Sequence, residues 1–126
     1  MMTIIKRFKF DSAHFLPGHP KCGNIHGHTW VLKVSLEGEP RMDNGMVIDF
    51  HLVKDVVNEK IINRLDHRFL NELGLPFSEY PSCENIVKWI FEELQGGAFL
   101  GYGYNLKLTR VKLAETEDNY VAYYGK

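Results

Sequence analysis

The chain has 126 residues, 44% of them hydrophobic and 25% charged, and a formal net charge of -1. That length suits a single domain able to bury a core without disulfides, and a charge so near zero argues against nucleic acid as a partner and supplies no long-range field for anions. No apolar run approaches the roughly 18 residues of a membrane span, and two cysteines far apart, Cys22 and Cys83, read as separate free thiols of a cytoplasmic protein.

Residues 4–14 alternate, with Ile4, Phe8, Phe10 and His14 on one face and Thr3, Arg7, Lys9 and Asp11 on the other, which predicts a half-buried strand. Pro17, Gly18, Pro20 and Gly23 mark a loop over residues 16–25. Alternation resumes over residues 26–36, placing His26, His28, Trp30, Leu32, Val34 and Leu36 inward. Pro40 and Asn44-Gly45 mark a turn, after which Asp49 stands as the N-cap of a helix running to about Leu65. Ser82 caps a second helix, whose apolar stripe is Ile86, Val87, Ile90 and Leu94 and whose end is Gly96-Gly97. Leu106, Leu108, Val111 and Leu113 form a third strand, their change of parity predicting a bulge near Thr109 or Arg110. Residues 119–124 make a short fourth. The expected fold is α+β in ββααββ order, a four-stranded antiparallel sheet with two helices on one face, and its open edges predict oligomerisation. Residues 1–126 read as a single domain.

Two histidines at i and i+2 on a strand share a face about 7 Å apart, and His14 ends the neighbouring strand on its own inner face. Three neutral imidazoles suit zinc and leave a fourth position open, as in a catalytic site. Cys22, just before the paired histidines, is either a fourth ligand that closes a structural site or a free thiol suited to general-base work. His19, in the Pro/Gly loop, and His51, at a helix start, read as solvated surface residues. Asp66-His67 at a helix end is either a proton relay or a plain C-terminal cap. Glu115, on the parity of Val111 and Leu113, needs a cationic or donor-rich partner, either a ligand with two N–H groups in a fork or a protein arginine.

The segments Phe10-Asp11-Ser12-Ala13-His14, Cys22 through His26-Gly27-His28, Ile48-Asp49-Phe50, residues 65–71, Pro81 through Asn85, and Ala114-Glu115-Thr116 occur in an order that resembles the 6-pyruvoyl-tetrahydropterin synthase family. The resemblance implies a tunnelling fold built into trimeric barrels, commonly stacked as hexamers, with sites between subunits. It implies zinc on His14, His26 and His28, Cys22 as the base acting on 7,8-dihydroneopterin triphosphate, Asp66 and His67 in its proton relay, and Glu115 holding the pterin ring. Only three residues separate Cys22 from His26, which resembles the 6-carboxy-5,6,7,8-tetrahydropterin synthases that supply queuosine precursors. The biopterin branch, which makes the 6-pyruvoyl product, usually carries a longer insertion there, and the folate branch carries a glutamate. Ser82-Cys83 departs from the family pattern, which puts a hydroxyl where Cys83 has a thiol. Lys21 and Arg68 adjoin the site residues and are candidate anion partners.

Overall fold

In the computed structural model, which describes residues 1–126 with the side chain of Tyr104 excepted, the two alternating segments become long strands, β1 (Met2–His14) and β2 (His26–Glu39). They pair antiparallel along their whole length, so that Phe10 lies opposite Trp30, Ser12 opposite His28 and His14 opposite His26. The third strand, β4 (Tyr104–Ala114), pairs antiparallel with β2, and the expected bulge is present: Ser35 faces Arg110 while Leu36 faces Leu108, leaving Thr109 without an opposite residue. This slip returns Leu108 and Val111 to the same buried face despite their odd separation. β5 (Tyr120–Tyr123) pairs with β4 and closes that side.

The sheet has five strands rather than four, in the order β3-β1-β2-β4-β5, and is mixed rather than purely antiparallel. The added strand, β3 (Arg68–Phe69), runs parallel to β1 at Ser12 and Ala13. Two residues are too few to show a period of two in sequence. What draws them in is the preceding turn, where the His67 amide donates to the Asp11 carbonyl at 2.6 Å and the Ser12 hydroxyl donates to the Leu65 carbonyl.

Helices cover one face of the sheet. Asp49 caps α1 (Phe50–Val57) by accepting from the His51 amide, and the helical path continues through a π-helical turn at Asn58–Ile62 into α2 (Asn63–Leu65). Val53, Val57, Ile61 and Leu65, all fully buried, recur every four residues, a spacing that drifts about 40° per step on a 3.6-residue helix. The wider π turn absorbs the drift and keeps Ile61 and Leu65 over the sheet. Ser82 caps α3 (Cys83–Gln95) by accepting from the Asn85 amide, and Gly97 at φ 98° turns the chain away. Arg64 ties the two helical segments together through Glu93 at 2.9 Å. Their apolar sides meet Phe10, Trp30, Leu32, Leu36, Val111 and Leu113 in one core. Among the described residues no helix is long and apolar enough to cross a membrane.

The opposite face of the sheet is open and basic. Arg7 lies directly opposite Lys33, and Lys33 directly opposite Lys112, with Lys9 beside them in the same shallow groove.

Candidate metal centre and its surroundings

The antiparallel register of β1 and β2 brings His14 and His26 face to face, and the pleat sets His28 one step along on the same side. Their ring centroids lie 4.6 to 5.2 Å apart, all edge to face, so the rings converge more closely than the two-residue backbone repeat implies. Trp30, fully buried, forms the floor, its ring 5.0 Å from His14 and 5.4 Å from His28.

Backbone carbonyls orient two of the three rings. Nδ1 of His14 lies 2.7 Å from the Pro81 carbonyl and Nδ1 of His26 lies 2.7 Å from the Asn24 carbonyl. Each Nδ1 therefore carries the proton and each Nε2 is left with a lone pair directed into the cluster, the arrangement that prepares imidazole for a metal. Nε2 of His14 and Nε2 of His28 are buried without a hydrogen-bond partner. A buried polar atom left unpaired is costly, and two on one focus fit an ion.

The fourth donor of the cluster is a carboxylate. Glu115 Oε1, at the end of β4, stands 3.2 Å from His14 Nε2 and 3.3 Å from His28 Nε2. Ligand atoms of His14, His26, His28 and Glu115 all lie within 4.8 Å of one another, and separations near 3.3 Å are those between neighbouring ligands on a tetrahedral zinc with arms of about 2.0–2.1 Å. Cys22 is not in this group; the side chain that stands beside the three histidines is the carboxylate of Glu115. No arginine pairs with Glu115 among the described residues. Glu115 also borders a pocket of about 380 Å³ shared with Cys83, Glu84, Asn119 and Val121.

Burial lowers the pKa of His14, against the opposing pull of the Pro81 carbonyl and the Glu115 charge, and burial also lowers that of His28. Both effects hold the rings neutral, the form that binds metal.

Asp66 and His67 form a second group with Asp11. Asp66 Oδ1 accepts from the Asp11 amide at 2.9 Å, and its other oxygen lies 3.0 Å from Nδ1 of His67. The Asp11 amide, then the His67 side chain, hold the Asp66 carboxyl below its ordinary range. His67 has φ 58°, a left-handed backbone rare for a residue with a side chain, and its 79% exposed imidazole faces outward rather than capping the helix. His67, His28 and Gly27 line the same open groove of about 590 Å³. A Cβ built at Gly27 meets nothing closer than 4.0 Å, so packing does not require glycine there.

Cys22 is half-buried in the loop between β1 and β2. His19 is exposed, as read from sequence, and in addition accepts the Cys22 amide on its Nδ1 at 2.8 Å. His51 is 89% exposed, as expected. Cys83 packs in the first turn of α3, donating to the Leu113 carbonyl, and burial pushes its thiol up to about 12. Lys21 and Arg68 are exposed. Sequence reasoning missed Asn71, whose side-chain amide clamps the Phe15 backbone from both sides at 2.9 Å and so fixes the end of β1 behind His14. It also missed the basic groove of the open face.

Comparison with known proteins identifies the family. A 6-carboxy-5,6,7,8-tetrahydropterin synthase of Synechocystis is 35% identical over 99% of this chain and 95% of its own. A 6-pyruvoyl tetrahydrobiopterin synthase of Dictyostelium discoideum is also 35% identical, over 99% and 97%. The structure of Caenorhabditis elegans 6-pyruvoyl tetrahydropterin synthase superposes with a TM-score of 0.84 at 27% identity, covering 99% of this chain and 96% of that one. With the sequence profile for 6-pyruvoyl tetrahydropterin synthase matching residues 3–126, the chain belongs to the 6-pyruvoyl tetrahydropterin synthase family, the tetrahydropterin synthase lyases.

Proposed function

We propose that this protein is a zinc-dependent lyase that converts 7,8-dihydroneopterin triphosphate and water to 6-carboxy-5,6,7,8-tetrahydropterin, releasing acetaldehyde and triphosphate, as a step toward queuosine. The observation that carries the reading is the convergence of three histidines, two of them with oriented rings and two with buried, unpartnered Nε2 atoms. His14, His26 and His28 would hold zinc, which supplies polarisation of the substrate's side-chain oxygens.

The remaining work falls to the chain's own groups. Cys22 takes a proton from a side-chain carbon of the substrate. His67, its Nδ1 tied to Asp66, has Nε2 free to pass that proton onward, and Asp66 keeps the imidazole in the right tautomer. Glu115 accepts the paired N–H edge of the pterin, a fork that a carboxylate matches in the bidentate manner. The pocket beside Cys83 and Asn119 gives the ring a place within reach of that carboxylate.

Within one chain Cys22 stands outside the Asp11, Asp66 and His67 group. This supports a relay shared between subunits of a trimer or hexamer, the single-domain chains meeting in the cytoplasm as a homo-oligomer. The three-residue segment between Cys22 and His26 favours the 6-carboxy product, and a relative named for that product reaches 40% identity against 35% for the Dictyostelium 6-pyruvoyl enzyme. A structural zinc centre without turnover is the reading to be excluded. Protein reconstituted with one zinc per chain should consume dihydroneopterin triphosphate and release triphosphate, and chelated protein should not. Zinc bound in full with no consumption would overturn the assignment. Cys22→Ala should keep its zinc and lose turnover, whereas loss of the metal would make the thiol a ligand.

A further inference from the structure

The loop that carries Cys22 is wound onto one side chain. Residues 19–23 form a single turn in which the Gly23 amide donates to the His19 carbonyl at 3.0 Å, while His19 is itself anchored by its amide to the Leu16 carbonyl at 3.1 Å. The Leu16 amide in turn donates to the Cys22 carbonyl at 2.7 Å. Such a turn begins with orphan N–H groups. Pro20 has none to offer, and the two that follow both end on Nδ1 of His19, Lys21 at 3.2 Å and Cys22 at 2.8 Å, while Gly23 closes the turn on the His19 carbonyl. The imidazole does here what Asn, Asp or Ser does at a helix N-cap. To accept, Nδ1 must be unprotonated, which places the ring proton on the solvent-facing Nε2. The turn is also tight: a Cβ at Gly23 would sit 2.5 Å from the His19 carbonyl oxygen.

We propose that His19 is the positioning residue for Cys22, fixing the backbone amide of the cysteine while Leu16 fixes its carbonyl, so that the thiol is presented in one orientation. This inference rests on the reading of Cys22 as the proton acceptor. His19 is exposed, so its removal opens no cavity in the core and the fold does not depend on it. The role is that of an acceptor at a fixed point and not of an acid or base, which makes it transferable to any side chain with an oxygen in the same place.

The test compares His19→Ala with His19→Asn in zinc-loaded protein, whose Asn Oδ1 can meet the same two amides. His19→Ala is expected to lower kcat about tenfold with KM changed less than about twofold, one N-cap's worth of stabilisation read as rate. Zinc content should be unchanged, and iodoacetamide should alkylate Cys22 about threefold faster as the turn loosens, with buried Cys83 the internal reference. His19→Asn should restore both kcat and alkylation rate to near the parent values. An alanine variant with parent kcat and parent alkylation rate would overturn the proposal. So would an asparagine variant as impaired as alanine, which would assign the imidazole a chemistry of its own. If Cys22→Ala retained turnover, the catalytic reading would fail instead, and the alkylation comparison would still decide whether His19 holds the cysteine.

Discussion

His14 is an imidazole with no exposed surface, one nitrogen on a carbonyl and the other on nothing but its neighbours in the cluster. Its pKa and that of His28 are lowered chiefly by burial from an ordinary value of 6.5. Between that value and the lower folded one, the unfolded chain takes up protons that the folded chain refuses. The stability of the metal-free protein is therefore full above 6.5 and declines as pH falls through the folded values. Thermal melts of chelated protein from about pH 7.5 down to about pH 5.5 should show a falling Tm, and a flat profile would contradict the neutral assignment. Glu115 is tested by Glu115→Gln: as a pterin anchor it should keep stoichiometric zinc and lose roughly 10- to 100-fold in kcat/KM, the worth of a charge-assisted hydrogen bond. Loss of zinc in that variant would make Glu115 a metal ligand instead. The three histidines were legible because a period of two places them without knowledge of the rest. The carbonyls of Pro81 and Asn24, and the cap from His19, were not, since they depend on loop paths that no periodicity encodes.

At the scale of elements, Ser82 accepts the Asn85 amide on its hydroxyl and so caps the first turn of α3, which carries Cys83 and borders the pocket beside Glu115. Ser82→Ala should cost about 1 kcal/mol in chemical denaturation, and an unchanged midpoint would show that the cap is dispensable. On the open face, Arg7, Lys33 and Lys112 stand in register across three strands, and like charges directly opposite destabilise a sheet. Lys33→Gln should raise stability by roughly 0.2–1 kcal/mol at low salt, with the gain shrinking near 1 M salt as screening shortens to about 3 Å. A gain independent of salt would mean that packing, not charge, is responsible. The bulge at Thr109 could be foreseen from the parity of Leu108 and Val111, because a core face tolerates no slip. Strand β3 could not, being two residues long and held by contacts from 53 or more positions away.

For the whole molecule, the sheet ends in a two-residue strand on one side and a four-residue strand on the other. Short edges leave pairing groups of β1 and β4 open to another copy of the chain. Sedimentation should find a trimer or hexamer, and dilution to the monomer should abolish turnover while zinc stays bound; an active monomer would refute a shared relay. The central claim concerns the product, and it is tested most directly by mass spectrometry after anaerobic incubation of zinc-loaded protein with 7,8-dihydroneopterin triphosphate and an acetaldehyde trap. The account predicts 6-carboxy-5,6,7,8-tetrahydropterin with trapped acetaldehyde in equal amount; a 6-pyruvoyl product with no acetaldehyde would contradict it.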